Sequence, residues 1–172
     1  MKRILGLWVV FFYSAGVLQA QFEEVSIKID GFTCSLCALS VEKSIRTLDF
    51  VEDVEMDLNT NMAKITFRNG REVSIFKLAE KVYDSGFSVN RLWAVYTFPE
   101  LEVRENTLYT IQETNFCFLE IGVKKILGPT RIVFLNKKLT SRKEYARWSR
   151  WIKEAEKNQI AVGEVYFITF SE

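Results

Sequence analysis

Between Val25 and Val89 the spacing of apolar residues changes in an order that few folds can accommodate. Val25, Ile27 and Ile29 alternate with Ser26, Lys28 and Asp30, the period of a strand with one buried face, and Gly31 ends the run. Cys37, Val41, Ile45 and Leu48 then recur at helical intervals, which sets them along one stripe. Alternation returns at Val54, Met56 and Leu58 and again at Ala63, Ile65 and Phe67, with Asn59-Thr60-Asn61 as the turn of a hairpin. Ser74 can cap a second helix whose buried face is Ile75, Leu78, Ala79 and Val82. Gly86 can close it in the left-handed conformation, and a last strand begins near Val89.

The resulting order is βαββαβ, the ferredoxin-like arrangement in which two helices cover one face of a four-stranded antiparallel sheet. From about Pro99 a second unit of α+β type follows. It has strand-like runs at Leu108 to Gln112, Phe116 to Ile121 and Arg131 to Leu135, and a turn at Gly128-Pro129. Ser141 and Glu144 have capping-box spacing at the start of a helix striped by Tyr145, Trp148, Ile152 and Ala155, and Gly163 to Phe170 reads as a final strand. The expected division is 22–95 for the ferredoxin-like domain and 99–172 for a carboxy-terminal α+β domain, with no low-complexity linker to keep them apart.

Residues 1–20 have the build of a signal peptide: Met1-Lys2-Arg3, then an uncharged and mostly apolar run from Ile4 to Leu18, then Gln19-Ala20 ahead of the acidic Glu23-Glu24. Cleavage after Ala20 is favoured and a cut after Gly16 is the alternative. The run is shorter than the roughly 20 residues of a spanning helix, so an uncleaved anchor is the lesser reading and export, to a periplasm or beyond, the expectation.

Composition narrows the chemistry. The 172 residues contain no histidine, which removes histidine general bases, hydrolase triads and mixed Cys/His zinc sites. A net charge of +1 gives no field for nucleic acid. The cysteines are three, Cys34, Cys37 and Cys117, so they cannot form a complete intramolecular disulfide framework. Cys117 alternates with Phe116 and Phe118 and points the same way as Leu119 and Ile121, the pattern of a core residue.

Gly31-Phe32-Thr33-Cys34-Ser35-Leu36-Cys37 lies where the first strand meets the first helix, with Val41-Glu42 on that helix and Gly86-Phe87 after the second. With the element order, these residues resemble the heavy-metal-associated domain family: copper chaperones, the amino-terminal domains of copper-transporting ATPases and the periplasmic mercury-binding protein. The resemblance covers about residues 24 to 92, and Phe32 departs from it where methionine is usual. It implies a buried anchor at Phe32, metal ligation by Cys34 and Cys37, and ligand exchange with a thiol-containing partner protein through a three-coordinate intermediate. It implies no enzymatic activity.

Elementary chemistry agrees. A helix amino terminus favours thiolates, and two thiolates from one loop suit a soft ion of low coordination, Cu(I) first and Hg(II) as its relative. Zn(II) fits less well, because it seeks four ligands. The alternative is an exported interaction protein in which Cys34 and Cys37 form a structural disulfide. A thioredoxin-like redox enzyme lacks support: the motif has no Gly-Pro between its cysteines. Glu52, Asp53, Glu55 and Asp57 read as the solvated face of a strand. The basic helix after Ser141 could meet a membrane or an acidic partner, and is read first as a helix packed on a sheet with a solvated basic face.

Overall fold

A computed structural model of the chain describes residues 22–31, 34–158 and 163–171. The expected signal peptide and Phe32 lie outside the described residues. The first six elements follow the expected order: β1 (Phe22–Asp30), α1 (Ser35–Ile45), β2 (Val51–Asp57), β3 (Met62–Phe67), α2 (Ile75–Asp84) and β4 (Ser88–Arg104). Their strands lie in the order β2-β3-β1-β4, all antiparallel. Val25, Ile27 and Ile29 of β1 are buried beneath Val41 and Ile45 of α1 and Ile75, Leu78, Ala79 and Val82 of α2. Leu58 departs from its expected inward role and is exposed, because β2 ends at Asp57, whose carboxylate accepts from Asn59 N and Thr60 Oγ1 and turns the chain early.

Local chemistry explains where α2 stops. Gly86 has φ of +86°, its N–H donates to Tyr83 O, and the Phe87 N–H donates to Val82 O. These two bonds make the left-handed closure of a Schellman motif, and they deliver Phe87 back toward the core and the start of α1.

The remaining elements are β5 (Leu108–Ile111), β6 (Thr114–Phe118), β7 (Val123–Phe134), α3 (Arg142–Asn158) and β8 (Val165–Phe170). They extend the first sheet instead of building another. One eight-stranded sheet runs β2-β3-β1-β4-β7-β8-β6-β5, and the expected interval between 95 and 99 falls inside β4. Gly128-Pro129 is not the turn expected from its composition. It sits within β7 opposite Phe98 and Thr97, where β4 carries one extra residue and Gly128 takes φ of +74°. A bulge gives proline a place in a sheet because a ladder bond is already missing there.

The two faces of the sheet carry different layers. Phe22, Tyr96, Phe98, Phe116, Phe118, Phe134 and Tyr166 extend the core on the α1 and α2 side, with ring centroids such as Tyr96–Phe116 only 4.9 Å apart. On the opposite face α3 presses Trp148, Ile152 and Ala155 onto Cys117, Leu119, Val133, Leu135 and Phe167. Ile121 does not follow Cys117 and Leu119 as alternation suggested; it packs on the other core, past Glu120 at φ of +53°. The capping box at Ser141 is half made. Glu144 N donates to Ser141 Oγ, while the Glu144 carboxylate accepts from Trp148 Nε1 at 2.9 Å.

Candidate metal centre

The loop after β1 is placed by Gly31. Its φ is +102°, and a Cβ there would stand 3.3 Å from Phe87 Cδ1, so a side chain would meet both backbone strain and the ring. Phe87 is half-buried against the core, so its family-like position supports the loop from below.

Cys34 is the N-cap residue of α1. Its backbone is extended, its carbonyl accepts from Cys37 N and Ala38 N, and its sulfur accepts from Cys37 N at 3.3 Å. Cys37 is therefore the third residue of the helix. The spacing Cys-x-x-Cys is thus the spacing of a capping box, in which the side chains at the N-cap and at the third helical position turn toward each other. The sulfurs meet for that reason, with Sγ to Sγ at 2.6 Å. Cys34 is exposed and Cys37 partly so.

The Cys37 thiol, and after it the Cys37 backbone N–H, hold the Cys34 thiol below its ordinary value of 9.0 by hydrogen bonding to its sulfur. Thiolate is thereby available at lower pH than in a free cysteine. The pair as it stands is closed. With metal–sulfur bonds of about 2.3 Å, an ion between sulfurs this near would meet them at an angle of about 70°, far from a linear or trigonal arrangement, so the thiols must part to take one. The exposure of Cys34 leaves it room to do so.

Among the described residues no group of three or more His, Cys, Asp or Glu side chains could hold a metal. Asp53 is occupied by Arg46 at 2.8 Å, and Asp57 by its own turn. Glu52 and Glu55 lie on the exposed face of β2, in keeping with their reading as solvated. Cys117 is fully buried on the face covered by α3, away from α1. A cleft of about 890 Å³, lined by Phe22, Ser74, Tyr96, Asn115 and Tyr166, lies at the opposite end of β1 from the cysteines. The sequence did not foretell that Cys34 would itself be the cap; the signal available was the pairing of Cys34 and Cys37 at the N-cap and third positions.

Residues 26–88 match the model of the heavy-metal-associated domain. The mercuric transport protein periplasmic component of Pseudomonas fluorescens is 31% identical over 87 residues, which cover 51% of this chain and 93% of that protein. The chain belongs to the heavy-metal-associated domain family. Another family relative, the copper chaperone CopZ of Staphylococcus haemolyticus, is 30% identical over 63 residues, covering 37% of this chain and 91% of that protein. Among solved structures, oxidized MerP from Ralstonia metallidurans CH34 is 31% identical, with 40% of this chain and 97% of that one covered at a TM-score of 0.36. The matched residues 26–88 include Cys34 and Cys37.

Proposed function

We propose that the protein is an exported, non-enzymatic carrier of a soft metal ion, with Cys34 and Cys37 as the ligands and Cu(I) as the cargo. The observation that carries this reading is a pair of adjacent, accessible sulfurs at the amino terminus of α1, with the Cys34 thiol held below its ordinary value. Two thiolates, with no third donor assembled among the described residues, satisfy an ion content with two or three ligands, and leave a side from which another protein's thiolate can enter. In that exchange the incoming sulfur forms a third metal–sulfur bond before Cys34 or Cys37 leaves. Cys34, more exposed and at the end of the loop, is the natural leaving ligand, while Cys37 is fixed on the helix. Relatives named for mercury and for copper support this class of cargo, and Hg(II) is the second candidate. The apolar run at residues 4–18 and a relative named as a periplasmic component support export.

Anaerobic titration of the reduced protein with Cu(I), against a chromophoric Cu(I) chelator, tests the assignment. One ion per chain is expected, with none held by Cys34→Ser/Cys37→Ser and an unchanged ratio for Cys117→Ser. Metal retained by the double variant would sink it. The proximity of the sulfurs also favours a second reading, a disulfide that closes in an oxidising compartment. Thiol counts on protein taken from its own compartment, before and after reductant and chelator, separate the two.

A further inference from the structure

The outward face of α3 carries a charge pattern that the dithiol does not use and that the fold uses only at Arg147, whose guanidinium lies 5.8 Å from the centre of the Trp148 ring. At 3.6 residues per turn, Arg142, Lys143, Arg147, Arg150, Lys153 and Lys157 fall within an arc of about 140°, centred opposite the stripe of Trp148, Ile152 and Ala155 that faces the sheet. All six are exposed, and none makes an ion pair among the described residues. Glu154 is the one acid inside the arc; Glu144 is turned to Trp148 and Glu156 lies at the flank. Trp151 flanks the arc about 40° beyond Arg147, 40% exposed, its ring beside Trp148.

We propose that this face docks on an anionic phospholipid surface, with α3 lying flat and Trp151 entering the headgroup layer. Charge complementarity names the class of surface, and the absence of an apolar centre selects a bilayer over a protein. A protein partner gains most of its affinity from apolar or aromatic anchors buried at the middle of the contact, and here the middle holds only Ala146 among cations. A headgroup layer asks for cations on long flexible stems and an aromatic at the rim, as this face provides. The ridge is about 25 Å long, enough to span several lipids. Docking there leaves the dithiol open, because α1 lies on the opposite face of the sheet. The two ends stay connected: Ser141, at the start of α3, donates to Asn90 O, and Asn90 Nδ2 donates to Asp30 next to the metal loop.

Vesicle co-sedimentation of the full chain tests this, comparing phosphatidylcholine vesicles with mixed phosphatidylcholine–phosphatidylglycerol vesicles. Zwitterionic vesicles report any binding through residues 4–18, and Lys2 and Arg3 act alike in parent and variants, so the change in the anionic increment between them is what counts. Each cation near such a surface is worth about a fivefold factor in partitioning. Arg147→Gln/Arg150→Gln/Lys153→Gln should therefore weaken the increment about a hundredfold, and Trp151→Ala should weaken it further, with Cu(I) stoichiometry unchanged in both. Salt near 1 M, where screening acts within about 3 Å, should remove the increment. No increment in the parent chain, or an equal one in the triple variant, would overturn the proposal. So would tighter binding to soluble polyglutamate than to anionic vesicles, which would assign the face to an acidic protein.

Discussion

The three cysteines occupy two environments, an accessible helix start for Cys34 and Cys37 and a closed core for Cys117. Cys34 and Cys37 stand at the amino terminus of α1, are accessible, and share hydrogen bonds with each other and with the first turn of the helix. Cys117 is held between β5 and β8 with its side chain under α3, completely enclosed by Leu119, Phe167 and the α3 stripe. The contrast teaches that reactivity here comes from a helix start and exposure, not from the residue type. A buried thiol behaves as a small apolar side chain.

Labelling native, reduced, metal-free protein with iodoacetamide should separate the two environments most widely. Cys117 reacts only when the core opens, so it should lag Cys34 by about a thousandfold or more, read by peptide mass mapping. Comparable rates would erase the distinction. Phe116→Ala, in the middle of the shared aromatic core, should cost about 3–5 kcal/mol in urea unfolding while leaving one Cu(I) per chain in the folded protein. Gly31→Ala should cost about 1–2 kcal/mol through its positive φ alone and should also disturb the dithiol, which a Cu(I) competition assay would register as weaker binding. Ser141→Ala, removing the cap of α3, should cost about 1 kcal/mol and leave metal binding untouched.

The smallest effect concerns pH. Because the folded Cys34 thiol ionises below 9.0, its labelling rate should level off at lower pH than that of the unfolded chain. For a depressed acid group the associated stabilisation is complete above the unfolded value of 9.0 and is lost as pH falls through the folded one. Cys37→Ala removes the largest cause, the Cys37 side chain, and should return the midpoint toward 9.0. An unchanged midpoint would place the cause elsewhere.

The first six elements were legible because each has a period and a stop: Ser74 caps α2 with its hydroxyl, and Gly86, having no Cβ, closes it in the left-handed conformation. The meeting of Cys34 and Cys37 was legible for a related reason, since the two are local in sequence and need only a helix start to approach each other. What was hidden depends on pairing between distant segments. That Gly128-Pro129 would lie in a strand rather than a turn follows from the extra residue of β4 opposite it, some thirty positions away, which no local pattern of Gly and Pro can report. Leu58 was misplaced because Asp57 captures the turn, and Ile121 because Glu120 breaks the alternation.

The unbroken course of β4 from Ser88 to Arg104 also decides what can be cut away. In a bare four-stranded module β4 would be an outer strand with one flank of N–H and C=O groups turned to solvent. Here β7 takes those bonds from Trp93 through Arg104, so excising the carboxy-terminal half would leave a long, sticky border inviting self-association. Any minimal version of the protein therefore needs that border blunted with charge or proline before its affinity for an ion can be judged.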